Sequence, residues 1–352
     1  MRAATALNTG HALARRLAIA VAIAVAIAAC TVGGERADRD DTVRARHDTT
    51  RATPLAQPRA APADYTPPPD SVIPNDELGA SIRRGLALFT HTTDSLPRHA
   101  RGALQCSSCH IDAGRRRDAA SLAGVYARFP KYMDRSDAVI PLEDRINYCF
   151  TRSLAGSRLP TDSREMQDIV AYLAFISTGV ATGAHVTGEG MPKMPKLTGD
   201  SARGAALFAI TCIACHGPQG QGNPPAIPAL WGPRSYSIGA SMAREERAAS
   251  FIRHFMPQSN RGSLTDQQAY DLSAYINSHE RPDSPGKGSD WPAGGAPSDV
   301  PYDTKGHKAY RPPGRLIARD HADEAIVPPP RSVTTGSAAA PGRAISSSRG
   351  TP

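Results

Sequence analysis

The 352-residue sequence contains few aromatic residues, no regular glycine period and no apolar run long enough to cross a bilayer. Aromatic residues account for 5% of the chain, with only two tryptophans, so side chains alone would fill a continuous core of this length poorly. Glycine and proline number 30 and 31, but they lack the spacing of a collagen-like chain, which excludes a fibrous protein. We therefore expect long linkers, or small domains whose cores hold a non-protein group.

Positive charge is spread unevenly, and the central part of the chain has little of it in excess. The formal net charge is +8, from 41 lysines and arginines against 33 acidic residues. Much of that excess lies in the two terminal segments, whereas basic and acidic residues are nearly balanced over residues 76–311. A nucleic-acid-binding domain is expected to concentrate basic residues on one face. We therefore predict no nucleic-acid partner.

The N-terminal residues are typical of an exported protein. Arginines precede the uncharged run Leu17–Ala29, which is too short to span a bilayer but suits the apolar region of a signal peptide. Cys30 follows at the position that a bacterial lipobox requires. We predict a lipoprotein-type signal peptide over residues 1–30, with lipidation of Cys30 and a membrane anchor. The alternative is ordinary cleavage after Ala28; both predict a periplasmic location.

Two polar, proline-rich segments without apolar periodicity flank the remainder of the chain. Such a composition cannot bury enough apolar surface to order the backbone. We predict a disordered linker over residues 31–75 and a disordered tail over residues 312–352. The folded part is therefore expected between them, and it contains five of the six cysteines.

Two Cys-x-x-Cys-His motifs, at residues 106–110 and 212–216, dominate the chemistry of the sequence. This pattern is the attachment site of haem c, in which two thiols bond to the porphyrin and the histidine binds the iron. A zinc knuckle or a redox Cys-x-x-Cys does not require histidine at the next position in both motifs. We predict two covalently bound haem c groups, held by Cys106, Cys109, His110, Cys212, Cys215 and His216.

The sequences around the two motifs repeat each other. Arg-Gly-x-Ala-Leu-Phe occurs at residues 84–89 and again at 203–208, and a segment with helical apolar spacing follows each motif. This order of helix, haem motif, long loop and closing helix resembles the class I cytochrome c fold. We predict an all-α protein with two tandem class I cytochrome c domains, a first domain at 76–190 and a second domain at 191–285. A C-terminal extension, 286–311, is expected to pack on them.

Helix-start signals and conserved spacing within the repeat predict how each domain closes. The closing helices are expected to begin at an Asp162-to-Glu165 signal and at a Thr265-x-x-Gln capping box. In each domain the first and last helices should cross where a glycine allows close approach. The expected pairs are Gly85 and Phe89 with Tyr172, and Gly204 and Phe208 with Tyr275.

Each haem iron also has a sixth position opposite its histidine. In the second domain we favour Met256, which lies 40 residues after His216 and precedes a proline; Met242 and His254 are alternatives. In the first domain the matching position, 39 residues after His110, holds Cys149; Met133 and Met166 are alternatives. A thioether ligand raises the reduction potential of a haem, whereas a thiolate lowers it.

The segment around Cys149 carries more charge than a core helix needs. If the segment is helical, Arg145 lies one turn before the cysteine, and Arg152 and Ser153 lie one turn after it. Arginines stabilise a thiolate and bind planar oxyanions through their forked donors. A thiol, two guanidinium groups and a hydroxyl on one face therefore predict sulfur-oxyanion redox chemistry. The alternative is an unreactive buried cysteine beside a solvated charged face.

Over roughly residues 76–305 the chain resembles the dihaem thiosulfate dehydrogenases. The resemblance rests most specifically on residues 142–153, with Arg135 and the pairs Leu159-Pro160 and Glu165-Met166. Later segments agree, namely Leu230-Trp231-Gly232, Ser235-Tyr236, Gly239-Ala240, Phe251-Ile252, Asp290-Trp291-Pro292 and Asp299-Val300-Pro301-Tyr302. The resemblance implies His/Cys ligation of the first haem, His/Met ligation of the second, and a catalytic set comprising Cys149, Arg135, Arg145, Arg152 and Ser153.

The resemblance also implies a reaction, in which two thiosulfate ions form tetrathionate and release two electrons, reversibly in some members. Cys149 would leave the iron and form a covalent adduct, and the electrons would pass from the first haem to the second and then to a small periplasmic carrier such as another cytochrome c. Two residues depart from the family pattern: Phe255 where some members have lysine, and Tyr148 where glycine is expected. The alternatives are a non-catalytic electron-transfer cytochrome and a Sox-type haem subunit that conjugates thiosulfate to a carrier.

Overall fold

The computed structural model describes residues 65–313, so the predicted signal peptide, Cys30, nearly all of the linker and most of the tail lie outside the described residues. Apart from residues 181–184, the described residues belong to one compact unit. None of the helices within 65–313 is long and apolar enough to cross a membrane.

The first domain places four helices and a small sheet around the first haem motif. Its elements are α1 (Glu77–Thr90), α2 (Thr92–Ser95), the antiparallel strands β1 (Lys131–Met133) and β2 (Ala138–Ile140), α3 (Leu142–Tyr148) and α4 (Arg164–Phe175). The hydroxyl of Ser163 accepts the backbone N–H of Met166 and caps α4. The predicted start at Asp162 is therefore wrong by one residue, because the serine hydroxyl provides the cap.

The second domain repeats this order with four helices. They are α5 (Ser201–Thr211), α6 (Ile213–His216), α7 (Glu245–Phe255) and α8 (Asp266–Asn277). The side chain of Asp200 accepts the N–H of Arg203 at the start of α5. Thr265 and Gln268 form a reciprocal capping box at the start of α8, as predicted.

In the first domain α1 crosses α4 at Gly85. A Cβ atom at Gly85 would lie 1.9 Å from the carbonyl oxygen of Asp168, so a side chain here would force the helices apart. One turn later the rings of Phe89 and Tyr172 lie 5.7 Å apart, centroid to centroid. Arg84 closes the crossing through an ion pair with Asp168, with an N–O distance of 2.7 Å. The predicted pairing is confirmed.

In the second domain α5 crosses α8 in the same manner. A Cβ atom at Gly204 would lie 1.9 Å from the carbonyl oxygen of Asp271. The rings of Phe208 and Tyr275 are 5.4 Å apart, and Arg203 pairs with Asp271 at 2.8 Å. The two crossings therefore share a glycine, an aromatic pair and an ion pair between an exposed arginine and a buried aspartate, which confirms the second predicted pairing.

The C-terminal extension packs against both domains. Trp291, Val300 and Tyr302 are buried together in a small apolar cluster. The backbone N–H of Trp291 donates to the carbonyl of Arg135 in the first domain at 2.9 Å, and Asp299 pairs with Arg244 of the second domain at 2.8 Å. The extension thus connects residues that are far apart in the sequence.

Candidate active site

The first haem motif faces Cys149. Burial would raise the pKa of the Cys149 thiol, but a hydrogen bond with His110 and the positive charge of Arg145 outweigh it and lower the pKa to about 7. Burial raises the pKa values of the Cys106 and Cys109 thiols to about 12, and the charge of Cys149 acts on both. The structure therefore brings the four predicted groups of the first haem site together.

The second motif opens into a cavity of about 590 Å³. Its lining includes Cys212, Cys215, His216, Met242 and Met256, together with apolar residues of the loop after the motif and of α7. His254 is not part of this lining, and its Nδ1 interacts with the carbonyl of its own helix at Ser250, 2.8 Å away. The placement of Met256 suits the predicted ligand, but Met242 reaches the same cavity.

Both motif histidines are oriented in the way that an iron ligand requires. The Nδ1 atom of His110 lies 2.5 Å from the carbonyl oxygen of Ala120, and Nδ1 of His216 lies 3.2 Å from that of Pro228. A proton on Nδ1 that is donated to a carbonyl leaves the Nε2 lone pair free for a metal. The four motif cysteines are free thiols, as thioether attachment requires. The residues of both sites therefore fit haem c.

Cys149 begins a π-helical turn, Cys149–Ser153, that continues α3. Nη1 of Arg145, four residues earlier, donates to the Cys149 sulfur at 3.7 Å. Such π-helical segments occur frequently at functional sites because they reposition side chains. Of the alternative ligands, Met166 is fully buried in the apolar core and Met133 lies in β1.

Arg135 and Arg152 are directed at one carboxylate of the C-terminal extension. Both donate to the carboxylate of Asp290 in the C-terminal extension, which is 2% exposed. The Arg152 guanidinium also lies over the ring of Tyr148, four residues earlier, 3.9 Å from its centroid. The prediction that Arg152 shares one face with the thiol stays a prediction. Among residues 65–313, the Ser153 hydroxyl has no hydrogen-bond partner, while its carbonyl accepts the N–H of Ser237.

Sequence reasoning missed the partners of these arginines. Asp290 and Tyr302 belong to segments that the family resemblance includes, yet nothing in their spacing distinguishes them from other acids or tyrosines. Lys131 was missed as well: burial, followed by the charges of Arg128 and Arg145, lowers its pKa. Lys131, Arg128 and Arg145 therefore lie near one another, and Arg128 is held by Glu189 at 3.1 Å.

Two family models match the described part of the chain. The model of the SoxA/TsdA cytochrome c domain matches residues 97–182, and the cytochrome c model matches residues 201–280. A curated thiosulfate dehydrogenase from Psychrobacter arcticus is 39% identical over 239 residues, covering 66% of this chain and 73% of that protein. A second, from Allochromatium vinosum, is 39% identical over 227 residues, covering 62% of this chain and 84% of that protein.

This chain belongs to the thiosulfate dehydrogenase family. A solved structure agrees: the thiosulfate dehydrogenase TsdBA of Marichromatium purpuratum in its "as isolated" form has a TM-score of 0.60 and 36% identity, covering 63% of this chain and 50% of that chain. The predicted fold class and the two covalent haem c groups are thereby confirmed for the family. A SoxA subunit of an L-cysteine S-thiosulfotransferase from Hydrogenobacter thermophilus is 34% identical over only 82 residues, which cover 23% of this chain and 30% of that subunit.

Proposed function

We propose that this protein is an exported dihaem enzyme that oxidises two thiosulfate ions to one tetrathionate ion at Cys149. The carrying observation is the position of the Cys149 sulfur, which is in contact with both His110 and Arg145. The sulfur is therefore beside the histidine expected to hold the first iron and beside a fixed positive charge. Four curated relatives named thiosulfate dehydrogenase support the substrate.

The first step joins Cys149 to one thiosulfate. The Cys149 thiolate and the outer sulfur of thiosulfate form an S–S bond and give a protein-bound S-thiosulfonate, with the release of two electrons. No bond to oxygen breaks, and no proton is required when the thiol is already ionised. Arg145 favours that ionised form because a nearby cation stabilises a thiolate.

The second step releases the product. The outer sulfur of a second thiosulfate attacks the sulfane sulfur of the adduct, an S–S bond forms, and the bond to Cys149 breaks. Tetrathionate leaves and the Cys149 thiolate is restored, so this exchange transfers no electrons, like a thiol–disulfide exchange. Charge is conserved, because the monoanionic adduct and the thiosulfate dianion give the monoanionic thiolate and the tetrathionate dianion.

Haem c groups bound at the two motifs would supply one-electron acceptors for the electrons of the first step. His110 and Cys149 are the residues that would hold the first iron, and His216 and Met256 the second. Cys109 of the first motif and Cys215 of the second line the same cavity, which supports passage of electrons between the two sites. A small periplasmic carrier such as another cytochrome c would then receive them.

Two dianions repel each other, so the site needs cations. They are Arg145 at the sulfur, Lys131 and Arg128 near Arg145, and the guanidinium groups of Arg135 and Arg152. Fixed donors of this kind stabilise the charge that gathers around the reacting sulfur atoms without reorganising. Ser153 adds a hydroxyl at the end of the Cys149 turn.

Export and anchoring form a separate part of the proposal. The uncharged run Leu17–Ala29 and the following Cys30 support a lipoprotein signal, and haem c is attached outside the cytoplasm. Processing that is blocked by globomycin and a mature chain that begins at lipidated Cys30 are the expected results. A soluble mature chain that begins at Ala29 would contradict the anchor.

The function is tested by thiosulfate-dependent reduction of ferricyanide with the holoprotein, beside Cys149→Ala. We expect the substitution to lower kcat by about 10³-fold or more, since removal of a covalent nucleophile abolishes its pathway. Haem content, measured for both proteins, controls for loss of the cofactor. Full tetrathionate formation by Cys149→Ala would refute Cys149 as the reacting thiol, and a wild-type holoprotein without turnover would indicate a non-catalytic electron-transfer cytochrome.

Product analysis separates the remaining alternative. A Sox-type subunit transfers its thiosulfate adduct to a carrier protein, whereas the proposed enzyme forms free tetrathionate with no other protein present. The SoxA likeness is confined to 82 residues, which favours the second outcome. Ion chromatography of the assay mixture, without any carrier protein, measures it directly.

A further inference from the structure

The C-terminal extension contributes a buried carboxylate that pairs with Arg152, a residue of the turn that Cys149 begins. Asp290 is 2% exposed and pairs with two arginines that precede it by 155 and 138 residues, Arg135 and Arg152. The extension lies outside both matched cytochrome c regions, which end at residues 182 and 280. The carboxylate therefore comes from a part of the chain that the cytochrome c folds themselves do not require.

Arg135 donates to one oxygen of the Asp290 carboxylate, and Arg152 donates mainly to the other. Nε and Nη2 of Arg135 donate to Oδ2 at 2.9 and 2.8 Å, and Nε of Arg152 donates to Oδ1 at 3.2 Å, with a closer bond from its Nη2. The hydroxyl of Tyr302 donates to Oδ2 at 2.8 Å. Nη2 of Arg135 also donates to the carbonyl of Gly239 in the second domain at 2.8 Å. Such multiply bonded guanidinium groups have little rotational freedom.

Both guanidinium groups retain unused donors. Within residues 65–313, Nη1 of Arg135 and Nη1 of Arg152 take part in no hydrogen bond. The two side chains are 15% and 19% exposed, so neither is fully closed off from solvent. An oxyanion can therefore bind to Nη1 while Asp290 holds the opposite edge of each group.

Aromatic side chains also contact the two guanidinium groups. The Arg135 guanidinium lies 4.9 Å from the centroid of the Trp291 ring, and that of Arg152 lies 3.9 Å from the Tyr148 ring. Flat rings of this kind restrict a guanidinium to one plane. Each arginine is thus held by an ion pair along one edge and by a ring on one face.

We propose that Asp290 is a positioning residue of the thiosulfate site, which holds Arg135 and Arg152 so that their free Nη1 donors receive a sulfonate group next to Cys149. This inference rests on the proposed function. It makes the C-terminal extension a component of the catalytic site, and it assigns Tyr302 a supporting part, since its hydroxyl contacts both Asp290 and Arg135.

The sign of the effect distinguishes positioning from simple electrostatics. Asp290 carries a negative charge beside two arginines, so its removal makes the site more positive. If charge alone decided thiosulfate binding, Asp290→Asn would bind the dianion more tightly. If geometry decides, the same variant binds it more weakly, because the two guanidinium groups lose their shared anchor.

The test compares Asp290→Asn and Tyr302→Phe with a matched control, Asp299→Asn. Asp299 lies in the same extension and pairs with Arg244 at 2.8 Å, in the second domain, so its substitution weakens attachment of the extension without touching Arg135 or Arg152. KM and kcat for thiosulfate are measured with holoproteins of equal haem content, at low and high salt. The visible spectrum and thermal midpoint of each protein are recorded.

We expect Asp290→Asn to lower kcat/KM for thiosulfate by about 10- to 100-fold, as loss of a partner that orients a site residue does elsewhere. The loss should appear mainly in KM, with an unchanged haem spectrum, and Tyr302→Phe should show a smaller loss of the same sign. Asp299→Asn should stay close to the wild type. Unchanged or tighter thiosulfate binding by Asp290→Asn would overturn this inference but not the proposed function. An equal loss in Asp299→Asn would do the same. A wild-type protein without thiosulfate turnover would overturn the proposed function and this inference with it.

Discussion

Nη1 of Arg145 lies 3.7 Å from the sulfur of Cys149, four residues later on the same helical segment. Of the three arginines expected around the thiol, this one directs a donor at the sulfur itself, while Arg135 and Arg152 are directed at Asp290. In the proposed function these cations have different tasks: Arg145 stabilises the thiolate, and Arg135 and Arg152 are held for an oxyanion.

Arg145→Ala should therefore impair the reaction of Cys149 itself. Removal of a single preorganised donor from a reacting centre costs about 10²- to 10³-fold in rate, and we expect a loss of that order in kcat. Thiosulfate-dependent ferricyanide reduction measures it. Arg158→Ala is the control, because Arg158 is 56% exposed and pairs with Asp144 on the outside of the same segment. Equal activity of the two variants would show that Arg145 does not assist the thiol.

Met256→Ala should lower the reduction potential of one haem and leave the other unchanged. A thioether ligand stabilises ferrous iron, so its loss favours the ferric state. Redox titration followed by absorbance resolves the two potentials. Met242→Ala is the matched control, since Met242 lines the same cavity. If Met242→Ala causes the shift and Met256→Ala does not, the ligand assignment must be exchanged.

The helix crossings and haem attachment could be predicted because they depend on short, repeated patterns. Cys-x-x-Cys-His places its ligands within five residues, and the repeated Gly and Phe of α1 and α5 have the spacing of one helix face. Ser163 shows the limit of this reasoning. Asp, Ser and Thr all cap helices, and only the backbone position decides between neighbouring candidates.

The contacts that hold Arg135 and Arg152 could not be predicted in the same way. Asp290 joins residues 135 and 152 only after the extension has packed on both domains, and no local pattern connects positions so far apart. The π-helical turn after Tyr148 could not be predicted either, because counting residues along a helix assumes the α-helical period.

Gly85→Ala should destabilise the first domain. The added Cβ would lie 1.9 Å from the carbonyl oxygen of Asp168, so α1 and α4 must separate, at a cost of about 1–3 kcal/mol or more. Thermal unfolding of the holoprotein measures the loss. Gly288→Ala is the control, because a Cβ there meets no atom within 4 Å and its backbone is not in the left-handed region. Equal midpoints for the two variants would contradict the tight crossing.

Asp168 should make the stability of the same crossing depend on pH. Burial alone would raise the pKa of its carboxyl, but hydrogen bonds from Arg84 and Ser81 outweigh burial and lower it. A carboxyl with a lowered folded-state pKa stabilises the fold above its unfolded value of about 3.9, and this stabilisation is lost as the pH falls through the folded value.

Asp168→Asn should therefore reduce stability at neutral pH by about 1–2 kcal/mol, a value kept small because Arg84 is 38% exposed and partly screened. As the pH falls below about 4, the wild type loses the same contribution and the difference between the two proteins should shrink. Urea unfolding at a series of pH values follows this difference. Asp144→Asn, which breaks a more exposed pair with Arg158, should cost less at neutral pH. A difference between Asp168→Asn and the wild type that stays constant down to pH 2 would mean that packing, and not the ion pair, accounts for the loss.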